Sequence, residues 1–169
     1  MARHLALGDS VAHPGWPDMT DIINRRIKRR ESFRPFAPSI LAERVADYFE
    51  EGIESPFMMH VVRIREDKRA ELRAVTHEDD TGRLHTVTRE QNPTYNDLIA
   101  RLAKLTGTPV LLNTSFNQNE PIVDTPAQAV DCFRRNDLDV LCMGEFIECK
   151  DGVELGGVCR AAYASEHQT

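Results

Sequence analysis

Three polar segments carry the side chains that could do chemistry. Ile27 to Pro38 reads IKRRESFRPFAP and brings cations to a proline-braced stretch. Stiffness matters there, because an arginine fork recognises phosphate only when it is held in place. Thr76 to Val87 reads THEDDTGRLHTV, so His77 and Arg83 can point into one cleft. Leu111 to Val123 reads LLNTSFNQNEPIV, an apolar run opening into short amide and hydroxyl side chains. Strand ends of this kind bind phosphate, ribose or amide groups. Each segment also has a plainer reading, as a Pro-rich loop, a solvated hairpin or a turn-rich connection. Together they offer cationic and polar groups and no recognisable nucleophile. That set fits phosphoryl or adenylyl chemistry, where positioning and charge stabilisation do most of the work.

The familiar alternatives are missing from the sequence. There is no GxGxxG, no GxxxxGK[ST] and no HExxH. Cys132, Cys142, Cys149 and Cys159 lie 10, 7 and 10 positions apart with no CxxC pair, which argues against zinc and for reduced thiols in a cytoplasmic protein. No metal ligands are assigned.

Six basic residues fall between Arg25 and Arg34, with Glu31 the only acid, in a chain whose net charge is -6. A local cationic cluster on an acidic protein points to a defined anion site, or to a solvated helix face, and argues against a general nucleic-acid surface. At 169 residues, 41% hydrophobic and 28% charged, the chain has the balance of one folded domain. Its apolar runs are far shorter than the roughly 20 residues of a membrane span, and Met1 to Asp9 lacks the layout of a secretory signal.

The elements that must position these segments follow from pattern. Residues 1–17 read as irregular. Met19, Ile22, Ile23 and Ile27 predict a short helix over 18–30. Prolines force Phe33 to Pro38 to be extended, and Ser39 is a candidate N-cap for a helix reaching about Glu51. Strands are expected over 57–65, 71–76, 83–88, 109–112, 138–143 and 146–149, with a polar turn at 77–82 and a loop at 113–117. Tyr95, Leu98, Ile99, Leu102 and Leu105 keep a helical period over 94–106, with Gly107 as its terminator. Thr125 and Pro126 open a helix to about Asn136, Asp151-Gly152 signals a turn, and 160–169 reads as a frayed tail. The expected class is α/β, a mixed twisted sheet with helices packed on it.

NRRIKRRESFRPFAPSI, AVTHEDDTGRLHTV, PVLLNTSFNQNEPIV and TPAQAVDCFRRNDLDVLCMGEF resemble, in order, the C-terminal domain of the O-carbamoyltransferases. The resemblance covers about residues 18–148. It implies a YrdC-like domain over 18–159, with 1–17 the remnant of a linker between lobes, and a twisted mixed sheet presenting a basic concave face. It implies binding of carbamoyl phosphate and ATP and formation of carbamoyladenylate, with Mg²⁺ accompanying ATP. A separate N-terminal lobe, in trans or in a longer parent chain, then moves the carbamoyl group to a hydroxyl. Carried over by motif, Lys28, Arg34 and Arg83 take catalytic roles on phosphate. Arg3, His77, Thr81, Asn113, Thr114, Ser115 and Asn117 take substrate- and nucleotide-binding roles.

The sequence departs from the family pattern in places. Gly8 stands where a second linker arginine belongs, Asp80 occupies the glycine of a DGTxR motif, and His85 replaces a usual Gln. Two rival readings share the fold: a non-catalytic nucleotide- or RNA-binding YrdC-like module, and a threonylcarbamoyladenylate synthase.

Overall fold

The computed structural model describes residues 9–16, 18–31 and 34–153. A five-stranded mixed sheet is built from β1 (Asp9–Ala12), β2 (Ala37–Leu41), β3 (His60–Arg63), β4 (Thr81–Val87) and β5 (Val110–Ser115), in the order β1-β5-β2-β4-β3. β2 and β4 run parallel, and the other pairs are antiparallel. The α/β class with a mixed sheet is therefore as expected.

Residues on a strand alternate between faces, and cross-strand partners share a face. Ser39 pairs with His85 and with Leu111, Ala37 with Asn113, and Asn113 with Val11. One face therefore carries Ser39 and Leu41, Arg83, His85 and Val87, and Leu111, Asn113 and Ser115. The other carries Ile40, Leu84, Val110 and Leu112. That second face packs on Met19, Ile23 and Ile27 of the first helical segment and on Tyr48 and Phe49, the main core. This segment is α1 (Met19–Ile22) continued by a π turn (Ile23–Ile27), the short helix that the apolar spacing requires.

Among the described residues the first face is only partly covered. α3 (Pro93–Thr106) lays Tyr95 and Ile99 on Leu41, Val87 and Leu111. Both side chains are fully buried, worth roughly 1.5–3 kcal/mol each. Asn92 caps the start of α3 by accepting from Tyr95 N at 3.0 Å, and Gly107, at φ +85°, ends it in the left-handed conformation glycine tolerates. α4 (Pro126–Arg135) opens with a complete Thr125–Gln128 capping box and packs with Phe116, Val123 and Leu141 beside a separate hairpin, β6 (Val140–Met143) and β7 (Phe146–Cys149).

Four local expectations are corrected. Residues 9–12, read as irregular, form β1 because they pair with β5. Ser39 is no helix cap: it lies inside fully buried β2, and helix begins later, as a 3₁₀ turn (Ala42–Arg44) and α2 (Val45–Tyr48). Residues 71–76 hold a 3₁₀ turn, Arg73–Val75, instead of a strand, so the polar turn at 77–82 leads into one strand and does not join two. Asn113 to Ser115 continue β5 and are not loop. The frayed-tail expectation lies outside the described residues.

Candidate functional site

Lys28 follows the π turn and is buried, 3% exposed. Its ammonium contacts Ser115 O, Ser115 Oγ at 3.1 Å, Asn117 O at 2.9 Å and Asn117 Oδ1 at 2.8 Å. Four acceptors surround a group with three N–H donors, so the cation is fully engaged by the segment that leaves β5. Burial, then the nearby Arg30 charge, lowers its pKa from 10.5 to about 8.

Arg34 stands just before β2. Its backbone is fixed by the fully buried Asn24, whose Nδ2 donates to Arg34 O at 3.0 Å while Asn24 Oδ1 accepts from Arg30 Nε at 2.7 Å. The Arg34 guanidinium itself is 57% exposed and meets Glu31 at 3.5 Å. An exposed pair of this kind is weak and exchanges readily for an incoming anion.

Arg83 projects from β4 opposite Val61, and its Nε donates to Met58 O at 3.3 Å. The turn before β4 is locked internally. His77 N donates to Thr81 O at 2.8 Å, the Thr81 hydroxyl donates to Asp79 at 2.6 Å, and it lies 3.1 Å from His77 Nδ1. Burial, with the Arg83 charge adding to it, lowers the His77 pKa. Asp80 takes φ +66°, where glycine is easiest, and its carboxylate meets Arg69 at 3.0 Å.

The register gathers several of these groups at one end of the sheet. The β2–β5 pairing ends with Ala37 opposite Asn113, so the chain from Arg34 lies toward Ser115. The β2–β4 pairing sets Ser39 beside His85, so the start of β2 lies toward Arg83. Alternation puts Arg83, Asn113 and Ser115 on the face that α3 covers only in part among the described residues, with Asn113 buried there and Val11 and Val61 exposed. Lys28, Ser115 and Asn117 are in direct contact, as are His77 and Thr81. Thr114 alternates to the opposite face and stands apart from Asn113 and Ser115. Arg3 lies outside the described residues.

Sequence pattern made Ser39 a candidate helix cap, did not single out Asn24, and marked His85 as a departure from the family pattern. Ser39 Oγ lies 2.8 Å from His85 Nδ1 and accepts from Asn113 Nδ2 at 3.2 Å, a polar chain across three strands with all three residues buried. Period-two alternation through Ser39 was the available signal. It was masked by the serine's resemblance to a helix cap.

Next to His85, at the start of α3, lies a small cavity of about 40 Å³, lined in part by Pro56, Phe57, His85, Val87, Asn92 and Tyr95. Among the described residues no cluster of three or more His, Cys, Asp or Glu is placed to hold a metal, and no helix is long and apolar enough to cross a membrane.

Fold and site thus define an α/β domain with cationic and amide groups at one end of a mixed sheet. The family model for the carbamoyltransferase C-terminus matches residues 2–150, and the chain belongs to that family. It is 48% identical over 148 residues to nodulation protein NolO of Bradyrhizobium diazoefficiens, covering 84% of this chain and 27% of that protein. It is 42% identical over 117 residues to 3'-hydroxymethylcephem-O-carbamoyltransferase of Amycolatopsis lactamdurans, covering 69% and 22%. Nodulation protein U of Rhizobium tropici is 38% identical over 101 residues, covering 60% and 17%. The chain spans about a quarter or less of the length of these relatives.

Proposed function

We propose that this domain takes part in carbamoyl transfer by binding carbamoyl phosphate and ATP and forming carbamoyladenylate. In balanced form, water cleaves carbamoyl phosphate to carbamate and phosphate. A carbamate oxygen then attacks the α-phosphorus of ATP, and pyrophosphate leaves. Two polyanions must meet, and fixed cations offset their repulsion. The observation that carries the reading is the register of β2, β4 and β5, which turns the Arg34 approach, Arg83 and Ser115 toward one end of the sheet. Arg34 and Arg83 both present exposed side chains there. In this reading they hold phosphates, His77, Thr81 and Asn113 support the polar wall, and Ser115 and Asn117 orient substrate from a segment that Lys28 fixes. Mg²⁺ arrives on ATP, with phosphate oxygens as its main ligands. The YrdC-like description of the fold belongs to the same proposal. So does delivery of the adenylate to a separate lobe, which the greater length of the relatives supports.

The test is pyrophosphate release by the purified chain, requiring both ATP and carbamoyl phosphate. Release with both substrates and none with either alone supports the reading. A folded chain that releases none rejects catalysis by this domain alone.

A second reading, a module that binds nucleotide without turnover, is favoured by one observation: the Lys28 ammonium is already saturated by Ser115 and Asn117. Nucleotide binding without pyrophosphate release selects it. RNA binding with steep salt dependence selects its nucleic-acid form.

A further inference from the structure

The turn before β3 is rigid, and it holds large apolar side chains out in solvent. Buried Ser55 pins it to β4: Ser55 N donates to Thr86 Oγ1 at 2.8 Å, and Thr86 N donates to Ser55 O at 3.1 Å. Met58 O accepts from Arg83 Nε at 3.3 Å. Met58 takes φ +58°, a left-handed conformation that strains a non-glycine residue and persists only where surrounding contacts enforce it. On either side of it, Phe57 and Met59 are 54% and 77% exposed. Val61 follows on β3, an edge strand of the sheet, and is 58% exposed.

The apolar surface continues onto α3. Phe57 lines the small cavity together with Gln91, Asn92 and Tyr95, so the turn abuts the start of that helix. Leu98 comes three positions after Tyr95, and Leu105 seven after Leu98, on one line of the helix. They are 38% and 86% exposed. Val61, Met59, Phe57, Leu98 and Leu105 thus trace a strip from the sheet edge to the end of α3. Single exposed apolar residues need no explanation, but a run of them marks an interaction surface. Its pinned turn also lowers the ordering cost of binding. Val61 pairs with Arg83 across β3 and β4, so whatever covers the strip adjoins the proposed site.

We propose that this strip is the docking surface for the separate lobe that receives the domain's product. Two observations choose that occupant. The matched region is 27% of NolO and 22% of the cephem carbamoyltransferase, so most of each relative lies outside it and has to meet the domain somewhere. The strip also borders Arg83, and a reactive mixed anhydride reaches a second lobe unhydrolysed only if that lobe closes beside the site that made it. The assignment rests on the functional reading above and adds the surface through which the two parts touch.

Titration of the full chain with the NolO polypeptide lacking its matched 148 residues tests it. Met59→Glu and Leu105→Glu each place a carboxylate in the strip at an exposed position. Both should keep the wild-type thermal midpoint within a few degrees and bind the probe at least tenfold more weakly. Phe146→Glu, at a 75% exposed position of the β6–β7 hairpin, should bind as wild type does. Wild-type affinity in folded Met59→Glu and Leu105→Glu overturns the surface assignment; if one variant fails to fold, the other decides. A folded probe that wild type does not bind overturns the lobe as occupant. If the probe does not fold alone, the chain is joined to it in place of the matched region, and hydroxyl-radical labelling of Met59 equal to that of the free chain overturns the assignment. Self-association of wild type that Met59→Glu abolishes gives the strip to a second copy and overturns the lobe as occupant. Lobe binding without pyrophosphate release leaves the docking surface standing and rejects the functional reading.

Discussion

Lys28 Nζ and Asn117 Oδ1 lie 2.8 Å apart across 89 positions of sequence. The contact ties the first helical segment to the end of β5. It continues through Asn117 Nδ2 to Glu120 O at 2.7 Å and through Glu120 to Arg135 of α4 at 3.1 Å. Lys28→Met removes the charge and strands several acceptors. We expect a loss of roughly 2–4 kcal/mol, read by urea denaturation. Amide exchange should rise at residues 115–120 first. Unchanged exchange in that segment would show that Lys28 does not hold it.

The lowered Lys28 pKa sets a pH dependence whose sign can be worked out. Below about 8 both folded and unfolded chains hold the proton, and the full cost of burying the charge is present. Between about 8 and 10.5 the unfolded chain holds a proton that the folded chain has released, so this residue's contribution to stability rises with pH. The stability gap between wild type and Lys28→Met should therefore widen from pH 7.5 to pH 9.5. A gap that stays constant or narrows contradicts the buried-cation assignment.

Arg34 separates function from folding. Its guanidinium is half-exposed and pairs with Glu31 at the surface, so Arg34→Ala should cost less than about 0.5 kcal/mol of stability. In the proposed reaction it should abolish pyrophosphate release, as should Arg83→Ala. Near-normal release from folded Arg34→Ala and Arg83→Ala would move the phosphate site elsewhere.

The buried chain Asn113–Ser39–His85 should behave as one unit. Ser39→Ala removes the hydroxyl that serves both neighbours and should cost about 1–3 kcal/mol. A double-mutant cycle with Asn113→Ala should show coupling above about 0.5 kcal/mol. Additive losses would mean that the two side chains act separately.

Asp80 occupies a left-handed position. Asp80→Gly gains conformational ease and loses a surface pair with Arg69, so stability should stay within about 1 kcal/mol of wild type. Asp80→Val forces a β-branched residue into that conformation and should cost about 1–3 kcal/mol. Thermal denaturation of the two variants checks the contrast; equal midpoints would refute it.

The helices were the most legible part of the fold. α3 and α4 carry their period, caps and terminators within a dozen or so residues, so local chemistry decides them. The strands were less so. Ser39 has every local mark of a helix cap, yet β4 and β5 flank it on both sides and its hydroxyl has partners 46 and 74 positions away. The Asn113–Ser115 run looks like loop for the same reason: its partners are β1, Ser39 and Lys28, all distant in sequence.

By itself, then, the chemistry of the chain determined its α/β class, its two well-formed helices, its three polar segments and its kinship with the carbamoyltransferases. The tertiary structure alone decided which of those side chains face one another. It turned Thr114 away from Asn113, spent Lys28 on Ser115 and Asn117, and joined Ser39 to His85 and Asn113 across three strands. The physical reason is that strand pairing and the satisfaction of buried polar groups are settled between residues far apart in sequence, where no local pattern records the partner.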